Sequence, residues 1–170
     1  MKQWYESLFE NYARKYDKEV YVQGTVGECD FIEQEIDRNK SLKIIDIGCG
    51  TGEWLYEFFK LGVDITGLDG EYLPVKSLKI PKEKILLQDL YKTLNINQCF
   101  DLAVSLEVAE HLRPERAESF IGDLTRLAPV ILFSAAMPGQ GGYGHINEQW
   151  PSYWINFFAS RGYAIIDILR

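Results

Sequence analysis

The stretch KIIDIGCGTG combines a carboxylate with a glycine-rich turn. Its apolar residues predict a strand that carries Asp46 near its end. Gly48, Gly50 and Gly52 predict a tight turn into a helix, where backbone N–H groups can approach a nucleotide-like ligand. A dinucleotide fingerprint would need a glycine at position 53, which Glu53 occupies. Because a carboxylate there would repel a pyrophosphate, the pattern favours a cationic ligand without phosphate.

A second group of reactive side chains contains the only two histidines of the sequence. His111 ends a Glu-x-x-Glu-His segment, and His145 follows the next predicted strand, so both should border one opening. One interpretation makes either histidine a general base, because imidazole titrates near neutral pH. Another makes Glu107, Glu110, His111 and His145 ligands of a divalent metal, and this mixture of ligands suits Mg²⁺ or Mn²⁺. In a third, structural interpretation, the glutamates cap a helix and His111 packs beneath the ligand.

Three aspartates lie at or near the carboxyl ends of predicted strands. Asp46, Asp69 and Asp89 occupy these positions. In parallel sheets such strand ends share one edge, where ligands bind, so we expect the three carboxylates to form one site. Taken singly, each aspartate could equally be a turn or capping residue.

Apolar runs alternate with helical patterns after residue 40. Near-continuous apolar strands separated by helices predict an α/β fold, with a doubly wound, mainly parallel Rossmann-like sheet and helices on both faces. The predicted strands are 44–49, 63–69, 85–89, 100–105, 130–134 and 164–169, and the predicted helices begin at Glu53, Pro114 and Pro151.

With these features together, the chain resembles the class I S-adenosylmethionine-dependent methyltransferases from about Gln23 to its end. The resemblance implies that Asp69 accepts hydrogen bonds from the ribose hydroxyls and that Asp89 accepts one from the adenine amine. Leu106 and Glu107 would then lie next to the transferred methyl group. The implied cofactor-binding residues are Asp46, Gly48, Cys49, Gly50, Gly52, Asp69, Gly70, Asp89, Leu90, Leu106, Tyr21 and Thr25.

The Glu-x-x-Glu-His segment is similar to two families within this class. Ubiquinone-pathway O-methyltransferases share the segment, and small-RNA 3′-terminal 2′-O-methyltransferases also have a later histidine. Many relatives carry it without a metal, so the three interpretations stay open. The catalytic residues that we expect are His111, His145 and Glu107, with Mg²⁺ or Mn²⁺ as a further cofactor if the metal interpretation holds.

Composition narrows the classes of partner. The chain of 170 residues has 18 Lys and Arg against 25 Asp and Glu, which argues against broad capture of nucleic acid. The sequence has no leader-like apolar region and no apolar run of about 18 residues. We therefore expect a cytoplasmic protein that makes no use of a membrane. Its three cysteines form no C-x-x-C pair, which disfavours zinc and disulfides.

A loop rich in glycine spans residues 138–147. We expect it to act as a lid over the methyl acceptor, with contacts from Tyr143, His145 and Trp150. The alternative is a flexible connection without a function.

The first 40 residues predict an N-terminal helical segment that precedes a cofactor-binding domain of residues 41–170. Its aromatic residues fit a helix face packed on that domain. The family resemblance further implies that the segment covers the cofactor, with Tyr21 and Thr25 at the site.

Methyltransferases of this class usually end with an antiparallel strand that inserts beside the fifth strand. The sequence stops at Arg170 without it. We expect a partner chain or the N-terminal segment to fill that place, or the chain to be part of a longer protein. An open sheet edge would also favour a homodimer.

The predicted function is transfer of a methyl group from S-adenosylmethionine to an oxygen or nitrogen of a small molecule. One alternative is a metal-dependent RNA 3′-end 2′-O-methyltransferase. Another is a module that binds the cofactor without catalysis.

Overall fold

A five-stranded parallel sheet forms the centre of the computed structural model, which describes residues 41–166. Its order is β3-β2-β1-β4-β5, and every neighbouring pair is parallel. The sheet therefore confirms the predicted Rossmann-like α/β class. The strands are β1 (Lys43–Ile47), β2 (Asp64–Asp69), β3 (Ile85–Leu87), β4 (Leu102–Leu106) and β5 (Val130–Ser134).

Helices cover both faces of the sheet. They are α1 (Glu53–Lys60), α2 (Pro114–Leu127) and α3 (Pro151–Ala159). Leu55 and Phe58 of α1 are fully buried in one apolar cluster with side chains of β1 and β2, and α2 and α3 bury Phe120 and Trp154 in another. Burial of each such side chain contributes about 1.5–3 kcal/mol. The two clusters hold the sheet rigid beneath its carboxyl edge.

The strand order reverses at β1, which lies between β2 and β4. The chain runs outward through β2 to β3 on one side and then crosses to β4 and β5 on the other. At such a reversal the loops that leave β1 and β4 diverge, which opens a crevice above their carboxyl ends. The fold therefore places the glycine turn and the Glu-x-x-Glu-His segment on the two sides of one crevice.

Several predicted boundaries agree with the structure. The α2 helix begins at Pro114, where proline at the first helical position needs no N–H partner. The α1 helix ends at Lys60, and Gly62 follows with φ 80°. β5 has the predicted bounds. The third strand is shorter than predicted: it ends at Leu87, because the Asp89 carboxylate accepts the Tyr91 N–H at 3.0 Å and turns the chain.

The last predicted strand is not supported where it can be followed. Residues 164–166 have no strand pairing, and 167–170 lie outside the described residues. The predicted helical segment of residues 1–40 lies outside them as well. None of the helices in residues 41–166 has the length and hydrophobicity that a membrane span requires.

Candidate functional site

The glycine turn after β1 depends on backbone geometry that side chains disfavour. Gly48, Gly50 and Gly52 have φ values of 82°, 52° and 85°, in the left-handed region that glycine tolerates best. The N–H of Gly48 donates to the Leu68 carbonyl at 2.8 Å, which joins the turn to β2. Gly52 is the N-cap of α1 and provides no side-chain cap. The turn therefore brings bare backbone to the edge of the crevice.

Gly48 also lies against the segment that follows β4. A Cβ atom placed on Gly48 would be only 2.3 Å from Cγ2 of Val108. Val108 is buried and directly precedes the turn of 3₁₀ helix Ala109–His111. The two sides of the crevice are therefore in contact at this point.

Asp69 at the end of β2 is buried and accepts backbone hydrogen bonds. Gly50 N–H donates to its Oδ2 and Gly70 N–H to its Oδ1, both at 2.7 Å. The Tyr72 ring lies over Gly70, and partial burial together with the neighbouring Asp69 carboxylate raises the pKa of Tyr72. Each carboxylate oxygen can accept about two hydrogen bonds. Asp69 is thus held rigidly and retains the capacity to bind hydroxyl groups.

Asp46 in β1 lies close to Asp69 and is itself buried. Burial, and to a smaller extent the charge of Asp69, raise the pKa of Asp46 from 3.8 to about 7. A cation bound beside these two carboxylates would favour the ionised form of Asp46. Burial and both aspartates also raise the pKa of Cys49 to about 12, so its thiol is inert at neutral pH.

Glu53 lies at the outer edge of this region. Its exposed carboxylate forms an ion pair with Lys79 and accepts a hydrogen bond from Thr51 at 3.4 Å. Its charge is therefore partly neutralised, so repulsion of a pyrophosphate by Glu53 is weaker than the sequence alone indicated.

Asp89 and Leu90 follow β3. Asp89 is exposed, and its carboxylate contacts the Tyr91 N–H and, at 3.3 Å, Lys92 Nζ. It nonetheless borders a cleft of about 790 Å³, which Tyr91 and Arg113 also line. Leu90 is buried. The Tyr91 hydroxyl donates to the His111 carbonyl at 3.0 Å, which links this turn to the segment after β4.

Glu107 follows β4 with a left-handed backbone, φ 55°. Ser134 Oγ donates to its Oε1 at 2.7 Å, and Gln140 Nε2 donates to its Oε2 at 3.1 Å. Leu106, the last residue of β4, is half-buried beside Ser134 of β5. The Glu107 carboxylate therefore binds residues of β5 and of the loop that follows it, and it does not join the predicted set of metal ligands.

The other three predicted metal ligands lie close together. Glu110, His111 and His145 each present a ligand atom within 4.8 Å of the others. The histidine rings pack edge to face with centroids 4.8 Å apart, and His145 Nε2 lies 3.9 Å from Glu110 Oε1. His111 Nδ1 donates to the Gly144 carbonyl at 3.2 Å, and His145 Nδ1 donates to Glu148 at 3.1 Å. Both Nε2 atoms therefore remain available as a base or a ligand.

Glu110 is the buried member of this cluster. It is fully inaccessible to solvent, and neither of its carboxylate oxygens has a hydrogen-bond partner. Burial raises the pKa of Glu110, and the charge of Glu107 adds to this effect. A buried carboxylate without a partner needs a cation or a proton donor.

The glycine-rich loop is more ordered than a flexible connection. Glu148 accepts the N–H groups of Gly139 and Gly141, both at 2.9 Å, in addition to the His145 bond. These bonds lower the pKa of Glu148, and the bond from Gly139 has the largest effect. Tyr143 and Trp150 are exposed, with relative accessibilities of 100% and 60%. The loop thus holds His145 in place and presents two aromatic side chains outward.

Comparison with known proteins agrees with this geometry. Residues 45–128 match the family model of the methyltransferase domain. That match runs from β1 to the end of α2 and includes the glycine turn, Asp46, Asp69 and the Glu-x-x-Glu-His segment. The chain contains a class I S-adenosylmethionine-dependent methyltransferase domain.

Curated relatives of this methyltransferase domain are ubiquinone biosynthesis O-methyltransferases. The protein from Rhodopseudomonas palustris strain BisB18 is 28% identical over 120 residues, which cover 66% of this chain and 42% of the relative. That from Nitrobacter winogradskyi is 28% identical over 130 residues, which cover 70% and 44%. The chain therefore spans less than half the length of these relatives.

Solved structures support the same fold for the methyltransferase domain. Magnesium protoporphyrin IX methyltransferase from Synechocystis PCC 6803, with bound SAH, has a TM-score of 0.60 at 19% identity over 96% of this chain and 88% of its own. The small RNA methyltransferase HEN1 has a TM-score of 0.62 at 15% identity over 85% of this chain and 23% of its own.

Some residues that contribute to the site of the methyltransferase domain were not predicted from the sequence. Ser134 and Gln140 bind Glu107, and Glu148 orders the loop. Glu148 lies three residues after His145, and this short spacing is the one feature that could have indicated it. The predicted residues Tyr21 and Thr25 lie outside the described residues.

Proposed function

We propose that this domain binds S-adenosylmethionine at the glycine turn and transfers its methyl group to an oxygen or nitrogen of a small molecule. Asp69 would bind the ribose hydroxyls, and Asp46 would lie at the methionine end with Gly48, Gly50 and Gly52. Asp89 and Leu90 would border the adenine, and Leu106 would lie near the methyl group.

The observation that carries this proposal is the pair of buried carboxylates beside bare backbone. Asp46 and Asp69 are both less than 5% exposed, and burial with mutual repulsion brings the pKa of Asp46 to about 7. A ligand that brings positive charge and hydroxyl groups offsets both the burial of the two carboxylates and the repulsion between them. S-adenosylmethionine has a sulfonium, an ammonium and a ribose diol, whereas a dinucleotide would bring a pyrophosphate.

Methyl transfer from a sulfonium asks little of the protein beyond position. The acceptor atom attacks the methyl carbon in line and the thioether leaves as a neutral group, so alignment and exclusion of water supply most of the catalysis. A hydroxyl or ammonium acceptor must also lose a proton. When no metal is bound, His145 or His111 is suited to take it through Nε2, because each Nδ1 is already held as a donor.

We further propose that Glu110, His111 and His145 bind a divalent metal. Their donor set fits such an ion, since one buried carboxylate without a partner faces two imidazoles. When bound, Mg²⁺ or Mn²⁺ would lower the pKa of an acceptor hydroxyl. Glu107, which was also predicted as a ligand, would instead orient Gln140 and the loop.

Calorimetry with S-adenosylhomocysteine and with NAD⁺ tests the cofactor. We expect clear binding of the first and none of the second, and the reverse result would contradict the proposal. Release of S-adenosylhomocysteine in the presence of phenol, catechol and amine acceptors then tests catalysis. Cofactor binding without turnover across this panel would favour the binding-module alternative.

Titration with Mn²⁺ tests the metal. Glu110→Gln and His145→Ala should each abolish the binding heat, whereas Glu118→Gln, an exposed glutamate on α2, should not change it. A filter-binding assay at low salt tests the RNA alternative, which requires affinity for RNA that a small-molecule enzyme does not need.

A further inference from the structure

Some buried side chains have polar atoms without hydrogen-bond partners. Within residues 41–166, they belong to Ser105, Glu110, Asn147 and Trp154. Ser105 lies in β4, Glu110 and Asn147 in the segments that follow β4 and β5, and Trp154 in α3 against Phe133 of β5. Buried polar groups in native proteins normally have partners. Two of these residues, Glu110 and Asn147, are joined through the backbone, which points to an interaction between them beside the proposed metal site.

Asn147 is tethered directly to Glu110. The backbone N–H groups of Ile146 and Asn147 both donate to the Glu110 carbonyl at 2.9 Å. Asn147 is only 2% exposed and Glu110 is fully buried, so both side chains are enclosed by protein. Two backbone hydrogen bonds thus fix the distance between these two residues.

The hydrogen-bonding groups without partners on Asn147 and Glu110 are complementary. Gln149 Nε2 donates to Asn147 Oδ1 at 3.0 Å, which occupies the acceptor side of the amide and leaves Nδ2, a donor, without a partner. Glu110 has two carboxylate oxygens, which are acceptors without partners. One buried water could bridge such groups.

We propose that Asn147 is a positioning residue whose side-chain amide, through one buried water, orients the Glu110 carboxylate toward His111 and His145. Its role is that of the hydrogen-bonding groups that orient metal ligands and strengthen metal binding. This inference rests on the proposed metal site. It adds a residue that neither binds the metal nor touches the methyl acceptor.

Mn²⁺ affinity of Asn147→Leu, measured by calorimetry or by electron paramagnetic resonance of free Mn²⁺, tests the role of the amide. Leucine has a similar volume and no donor. We expect Mn²⁺ to bind about 10- to 100-fold more weakly, while S-adenosylhomocysteine affinity stays within twofold of wild type. Asn156→Leu, the same change at an exposed asparagine of α3, is the matched control. Unchanged Mn²⁺ affinity in Asn147→Leu would overturn the proposal.

A second pair of variants serves if Asn147→Leu does not fold. Asn147→Ser keeps a hydroxyl donor and Asn147→Ala has none, so the serine variant should bind Mn²⁺ more tightly. Equal affinities would overturn the proposal. If wild type binds S-adenosylhomocysteine but no Mn²⁺, the positioning role and the metal site fail while the methyltransferase proposal stands. Loss of both ligands in wild type would overturn the proposed function itself.

Discussion

The Asp69 carboxylate accepts the Gly50 N–H at 2.7 Å and so ties the end of β2 to the turn that follows β1. The same carboxylate is the proposed acceptor for the ribose hydroxyls. One side chain thereby shapes the backbone of the site and, in the proposed function, would bind its ligand.

Asp69→Asn should weaken S-adenosylhomocysteine binding roughly 30- to 1,000-fold, because each hydrogen bond to a charged group contributes about 1.5–3 kcal/mol. The amide also presents a donor where Gly50 or Gly70 donates, so the free energy of unfolding should fall by about 1–2 kcal/mol. Calorimetry and thermal denaturation measure the two effects. Asp64→Asn, at the exposed opposite end of β2, is the control, and equal affinities of the two variants would contradict the assignment.

The affinity for S-adenosylhomocysteine should rise with pH through the pKa of Asp46, near 7. Below that pH the carboxyl is neutral and cannot attract the ligand's ammonium group, whereas above it the carboxylate can. We expect affinity to increase up to tenfold per pH unit below 7 and to level off above 8. Asp46→Asn should bind weakly at every pH. A wild-type affinity independent of pH between 5.5 and 8 would be evidence against this role.

The stability of the ligand-free protein should show the opposite dependence. Asp46 ionises at about pH 3.8 in the unfolded chain and near pH 7 in the fold, so its contribution to the free energy of unfolding falls as pH rises between these values. Asp46→Asn should therefore stabilise the protein at pH 8, by about 1–3 kcal/mol, and not at pH 4. Urea denaturation at the two pH values measures this. A destabilised variant at pH 8 would contradict the pKa shift.

Gly48→Ala should be more harmful than Gly50→Ala. Both residues have positive φ, which costs about 1–2 kcal/mol for alanine. A Cβ on Gly48 also overlaps Val108, whereas the space around Gly50 is open, so Gly48→Ala should cost about 2–4 kcal/mol. Addition of Val108→Ala should recover part of the loss in thermal stability. Equal effects of the two glycine substitutions would show that the Val108 contact is unimportant.

Glu148→Gln should loosen the loop between β5 and α3. A neutral amide replaces the carboxylate that accepts the Gly139 and Gly141 N–H groups and the His145 ring, and hydrogen bonds to charged groups are the stronger kind. Amide hydrogen exchange of residues 138–147 should accelerate. Glu118→Gln should leave it unchanged. A loop that exchanges as slowly in Glu148→Gln as in wild type would mean that other contacts order it.

Local patterns predicted much of the fold because the relevant signals are themselves local. Pro114 indicated the start of α2, Gly62 the end of α1, and the apolar run from Val130 the strand β5. The cluster of Glu110 with His111 and His145 was predictable for a different reason. Neighbouring parallel strands end at the same edge of a sheet.

The direction of individual side chains was not predictable in this way. Glu107 was grouped with Glu110 and His111 because it is near them in sequence. Its left-handed backbone and its bonds to Ser134 and Gln140 direct it elsewhere. Such choices depend on tertiary partners that no periodicity records. The same reason explains why Glu148 and Asn147, both in a loop, were overlooked.

The hydrogen bond from Tyr91 to the His111 carbonyl connects chain segments that leave β3 and β4, two strands with β2 and β1 between them. This hydrogen bond holds the two segments together at one side of the crevice. Widening at that side would require this hydrogen bond to break, so a methyl acceptor too large for the crevice would have to break it first.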